Sequence, residues 1–143
     1  MTFAKNIPFL SIMLPTVCGI ISLLFDGKKA EKLCLGVLVS ISLASAVLIR
    51  YFSVVGGSFT YMMGHFPAPW GNEIRSGMLE AIMALSFALV MLLSLVSGRK
   101  GIFREIPENK QNIYYLMINL LMSSLLALIY TNDIFTAYVF IEI

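Results

Sequence analysis

Charge is scarce in this sequence. Aspartate, glutamate, lysine and arginine make up only 13% of its 143 residues, about half the share typical of soluble domains. So thin a polar coat cannot cover a globular surface in water. Disorder is excluded for the opposite reason: 59% of the residues are hydrophobic, whereas disordered chains are poor in large apolar side chains. With one histidine and two cysteines, no zinc-type ligand spacing can be assembled, and no metal is expected. Cys18 and Cys34 read as small buried hydrophobes. The sequence has no nucleophile–base arrangement and no phosphate-binding glycine loop, so no catalytic residue and no cofactor is expected, and the chain by itself reads as no enzyme. No lysine and arginine block is dense enough for a nucleic-acid footprint.

What is present is long apolar sequence, with a mean hydropathy of +0.88. Residues 6–25, 33–49, 81–98 and 111–132 carry no charge. A hydrocarbon core of about 30 Å takes about 20 apolar residues per helix, so each run reads as a spanning segment. A fifth run opens at Ile134 and meets Glu142. The expected fold is an all-α integral membrane protein with about four full transmembrane helices and the start of a fifth. It is expected to form a single membrane domain over 1–143, with helices at roughly 7–25, 33–50, 77–97, 112–130 and 133–143. Asp26–Lys32 reads as a polar turn, and 98–110 as the most charged loop. Tyr51–Val55 and Ser58–Tyr61 flank Gly56-Gly57, an arrangement of aromatic and β-branched runs about a glycine pair that predicts a short outer β-hairpin. Pro8 suits a helix start, and Pro15 is tolerable where neighbours satisfy the freed carbonyl.

Basic residues give an orientation. The 26–32 and 98–110 segments hold seven of them, and the opposite side has Lys5, Arg50 and Arg75. Cytoplasmic loops are enriched in lysine and arginine, so the N-terminus is expected on the outer side of the cell membrane.

Glu142 is the leading candidate for chemistry. It lies nine residues beyond Asp133, about 13–14 Å into a helix at 1.5 Å per residue. A carboxylate near the bilayer midplane costs at least about 2.5 kcal/mol, so such acids mark ion or proton paths or have partners. Desolvation and a nearby cation pull its proton affinity in opposite directions, which is what a proton relay needs. Phe135, Tyr138, Val139 and Glu142 share a helix face. Asp133 points the other way and reads as a helix cap or a secondary relay. Glu80, Glu73 and His65 are candidates for an outer ion path.

Tyr61-Met62-Met63-Gly64-His65-Phe66-Pro67-Ala68-Pro69-Trp70-Gly71 and Asn132-Asp133-Ile134-Phe135-Thr136-Ala137-Tyr138-Val139-Phe140-Ile141-Glu142 resemble segments of the antiporter-like membrane subunits. These occur in Mrp-type multisubunit sodium/proton antiporters (the MrpD-like group), in membrane-bound hydrogenases and in respiratory complex I. The resemblance covers the chain as the N-terminal portion of a longer subunit. It departs at Gly77, where many members have aspartate, and at Asn132, which replaces a common glycine. It implies that Glu142 is the glutamate of a buried lysine–glutamate pair used in proton transfer, the lysine lying on a later helix. The implied function is a subunit, or subunit piece, of a monovalent cation/proton antiporter complex. The alternatives are the ion-translocating subunit of a redox-driven complex and a non-transporting assembly scaffold. Implied partners are the lipid bilayer and other membrane subunits, one of them supplying the intramembrane lysine. An α-carboxylate at Ile143 would sit beside Glu142 halfway across the membrane. The remainder is therefore expected on a separate polypeptide, or the chain is a truncated product or fragment.

Overall fold

The computed structural model describes residues 2–62 and 73–142, with side chains from Asn6 onward. The protein is an all-α membrane protein with a small two-stranded hairpin. Its helices are α1 (Thr2–Ser22), α2 (Gly27–Val55), α3 (Met78–Glu105), α4 (Gln111–Tyr130) and α5 (Ile134–Glu142). Strands β1 (Phe59–Met62) and β2 (Glu73–Ser76) lie between α2 and α3. Three helices, Gly27–Val55, Met78–Glu105 and Glu108–Tyr130, are long and apolar enough to cross a membrane, and Asn6–Ser22 is apolar but shorter.

The helices outrun the uncharged runs of sequence. At 1.5 Å per residue, the 29 residues of α2 and the 28 of α3 reach about 42–44 Å, well beyond a hydrocarbon core of about 30 Å. Hydropathy locates the edge of the hydrocarbon, whereas a helix ends only where its backbone hydrogen bonding stops. Lys28, Glu31, Arg99 and Arg104 therefore lie on helix ends rather than in the turn and loop expected at 26–32 and 98–110.

The hairpin also differs from its expected register. Tyr51–Val55 is the last turn of α2, and Phe52 is buried there against Ile7, Leu48 and Ala81. That burial decides for helix over strand. Gly56 and Gly57, at φ +71° and +79°, end the helix in a region open to glycine at little cost. The strand that follows pairs with residues further on: Phe59 faces Ser76 and Met62 faces Glu73, antiparallel. Ile74 bridges to Thr131, and the Asn132 N–H donates to the Glu73 carbonyl at 2.9 Å. The hairpin is thereby fastened to the link between α4 and α5.

Helix α1 packs against α4 and α2, α2 against α3 and α4, and α5 against α4. The largest core cluster joins Cys34, Val37, Leu38 and Ile41 of α2 to Ala84 and Ala88 of α3 and to Tyr115, Met122 and Leu126 of α4. Ala81, Ala84 and Ala88 are fully buried at helical spacing, and such small residues let membrane helices approach closely. On α2, Ser45 is buried while Gly36 and Ser40 face outward. Helix α1 runs unbroken through Pro8 and Pro15. The hydroxyls of Thr16 and Ser123 lie 3.0 and 2.9 Å from the Ile12 carbonyl and 2.6 Å from each other, next to the Ser11 carbonyl that Pro15 leaves without its helical partner.

The contacts between Glu31 and Arg99 and between Asn112 and Leu23 put the 23–32 and 98–112 segments at one end of the bundle. The hairpin and the 131–133 link are at the other. The basic residues of the first two segments are therefore gathered on one side.

Candidate functional site

Helix α5 begins at a side-chain cap. The Asp133 carboxylate accepts from the Thr136 N–H at 3.1 Å, the Thr136 hydroxyl at 2.9 Å and the Phe135 N–H at 3.4 Å. These bonds satisfy N–H groups that a helix start leaves open. Those from Thr136, ahead of the one from Phe135, hold the Asp133 carboxyl below its ordinary range. A carboxylate with a lowered folded-state pKa contributes stability above its unfolded pKa and loses it as the pH falls through the folded one. Asp133→Ala is therefore expected to speed amide exchange of Phe135 and Thr136 several-fold at neutral pH. The difference from wild type should close as the solution is acidified, which exchange measured across a pH series checks.

Packing against α4 sets which way α5 faces. Thr136, Ala137 and Phe140 are partly covered, whereas Phe135, Tyr138, Val139 and Glu142 are exposed. Phe135 keeps 75% of its surface and Tyr138 59%, and no α5 residue is buried among the described residues. Glu142 thus lies on the bare face of an apolar helix, pointing away from α4. No lysine or arginine forms an ion pair with it among the described residues.

Glu80 lies in the first turn of α3, where a carboxylate complements the helix dipole. Its Oε1 is 3.7 Å from Arg75 Nε, the Glu80 side chain being only 19% exposed. Glu73 is half-buried in β2 and contributes its backbone carbonyl to the clamp on Asn132. Arg75, Glu80 and Glu73 thus share the hairpin end of the bundle. His65 lies outside the described residues.

A further charged pair lies at the opposite end. Glu31, in the second turn of α2, is buried, and its Oε1 pairs with Arg99 Nε of α3 at 2.7 Å. Its Oε2 is also buried and has no hydrogen-bond partner among the described residues. Tyr115 of α4 is buried in the same core cluster as Cys34, one turn along α2 from Glu31.

No protein-family model matches the sequence, and no curated protein matches it. Among solved structures, the chain is similar to one from the membrane-bound sulfane sulfur reductase, an archaeal respiratory membrane complex. The fold is shared. The TM-score is 0.79 at 19% sequence identity, over 96% of this chain and 28% of the other. The protein thus spans little more than a quarter of the length of the chain it resembles.

Sequence reasoning passed over Glu31 and Arg99 because each adjoins lysines in segments expected to be solvated. The available signal was the helix-forming character of Lys28–Lys32 and Arg99–Glu105. Read as helix, both segments continue into the apolar runs beside them and carry their charges into the bundle end.

Proposed function

We propose that this chain is an antiporter-like membrane subunit, or part of one, in a multisubunit ion-translocating complex of the redox-driven respiratory kind. In this reading Glu142 relays protons opposite a lysine on a further transmembrane helix. The observation that carries the reading is Glu142 on the bare face of α5, in a fold shared with a respiratory membrane complex. An acid facing lipid is costly, so its face calls for helices that cover it and supply a cation. The complex would lie in the cell membrane with the basic 26–32 and 98–110 segments inside and the N-terminus outside, following the lysine and arginine bias. The redox chemistry would sit on other subunits.

A second reading, a Mrp-type sodium/proton antiporter, rests on the segments at 61–71 and 132–142. Affinity purification of the tagged protein from its native membrane separates the two. Iron–sulfur or nickel–iron subunits in stoichiometric amounts are expected. Small membrane subunits without any redox partner would move the assignment to the antiporter. Recovery of the chain alone would count against both.

A further inference from the structure

Helix α3 packs on α2 and α4, and the side it buries is made of small residues, Ala81, Ala84 and Ala88. Its other side is different. Ile82, Leu89, Leu93 and Val96 are all exposed, Leu93 keeping 64% of its surface and Val96 55%. Further along, Lys100 and Arg104 are exposed as well. At about 100° of turn per residue, these six side chains fall in one arc of about 80°, clear of the buried alanines.

The chemistry of that arc points to what covers it. Helices that pack on one another in a membrane meet through small residues and polar side chains. The apolar part of this arc is bulky throughout, and Ser86 beside it already donates to the Ile82 carbonyl at 2.9 Å. Such a surface suits acyl chains better than another helix. The uncharged run 81–98 rises about 27 Å, close to the depth of a hydrocarbon core. Lys100 then lies at the edge of the hydrocarbon and Arg104 about 6 Å beyond it, at headgroup depth. Neither forms an ion pair among the described residues. Of the neighbouring charges, Arg99 is held by Glu31, and Glu105 lies about 100° round the helix from Arg104. Two free cations therefore follow a bare apolar face, the complement of an anionic head on an apolar tail.

We propose that this face of α3 binds an anionic phospholipid, its acyl chain along Ile82–Val96 and its phosphate between Lys100 and Arg104. The site goes beyond the proposed function and uses no residue of α5. An arginine guanidinium can meet two phosphate oxygens at once, and a lysine ammonium adds a compact point charge. The methylene stems of both side chains suit the apolar surface below them, while their heads reach toward the phosphate. A zwitterionic lipid carries the same phosphate, but its own ammonium offsets the attraction. The site therefore prefers a headgroup of net negative charge.

The test uses the complete complex, purified with its partner subunits and reconstituted into phosphatidylcholine vesicles with a minor share of phosphatidylglycerol of the same acyl chains. The photoreactive residue p-benzoylphenylalanine stands in place of Val96, about one turn from Lys100, and irradiation attaches it to whatever covers the face. Mass spectrometry of the chain then reads the ratio of phosphatidylglycerol to phosphatidylcholine adducts. That ratio is expected to exceed the bulk lipid ratio at least about fivefold, the contribution of one juxtamembrane cation, and to fall at high salt. Lys100→Gln with Arg104→Gln keeps good helix formers and should return the ratio to that of the bulk. Arg104→Lys should keep part of the enrichment. Adducts at the bulk ratio with both cations in place would overturn the proposal, and that reading needs no charge variant to fold. Attachment to a partner polypeptide would overturn it too, as would an enrichment that persists in the double glutamine variant.

Discussion

Glu142→Gln is expected to lower proton-coupled ion movement by the assembled complex roughly a hundredfold, in the range measured when a positioned acid–base group is lost, while subunit composition stays unchanged. Packing on α4 turns Thr136, Ala137 and Phe140 toward that helix and Glu142 away from it. Glutamine keeps the size and hydrogen-bonding capacity of glutamate while removing both the charge and the titration. Helix packing is retained and only the protonation chemistry is lost. Glu142→Asp, which keeps the carboxyl but withdraws it by one methylene, should retain an intermediate rate. Vesicle transport assays on the three forms check this order, and a Glu142→Gln complex that translocates at the wild-type rate would remove the residue from the mechanism.

Arg99→Leu should be among the most destabilising single charge removals in the described bundle. Glu31 Oε1 would lose its 2.7 Å partner, and Oε2 already has none among the described residues. Removing one partner of a fully buried pair costs about 3–5 kcal/mol. The Arg99 side chain is 59% exposed and that of Glu31 only 5%, and solvent screening on the arginine side brings the expected loss to about 2 kcal/mol. The cost is asymmetric. Glu31→Gln leaves a half-solvated arginine that water accommodates, so it should destabilise far less. Adding Glu31→Gln to Arg99→Leu should recover most of the lost stability, because the stranded buried charge is then gone. Thermal unfolding in detergent of the four forms of this cycle measures the coupling directly. Additive effects would mean that the pair is not coupled in the folded protein.

Much of the fold was legible because lipid imposes a simple rule: backbone in hydrocarbon must hydrogen-bond to itself. The uncharged runs located each helix to within a few turns, and the lysine and arginine distribution grouped the two basic segments that Glu31 and Arg99 bring together. The helix ends were not legible. Arg99, Lys100, Arg104 and Glu105 are good helix formers, so α3 continues through them to Glu105. The hairpin was expected from its residue types, but its register was not. Phe52 packs into a core cluster, and that tertiary contact, invisible locally, keeps Tyr51–Val55 helical.

The candidate site was legible in part. That Phe135, Tyr138, Val139 and Glu142 share one face of α5 follows from their spacing, and packing on α4 leaves that face bare. Gln111, Tyr115, Asn119 and Ser123 recur with equal regularity in sequence, but their burial along one face of α4 is a tertiary fact. Glu31 was hidden because its neighbours Lys28, Lys29 and Lys32 mark a solvated segment, while its own side chain turns inward.

The central claim is that the Glu142 carboxyl is covered in the assembled complex and changes its protonation there. Infrared difference spectroscopy of the isotope-labelled complex, comparing resting and turning-over states, tests this most directly. A protonated-carboxyl band that rises and falls with turnover, and that disappears in Glu142→Gln, is the predicted result. A Glu142 carboxyl that stays ionised throughout and titrates like a free glutamate in water would contradict it.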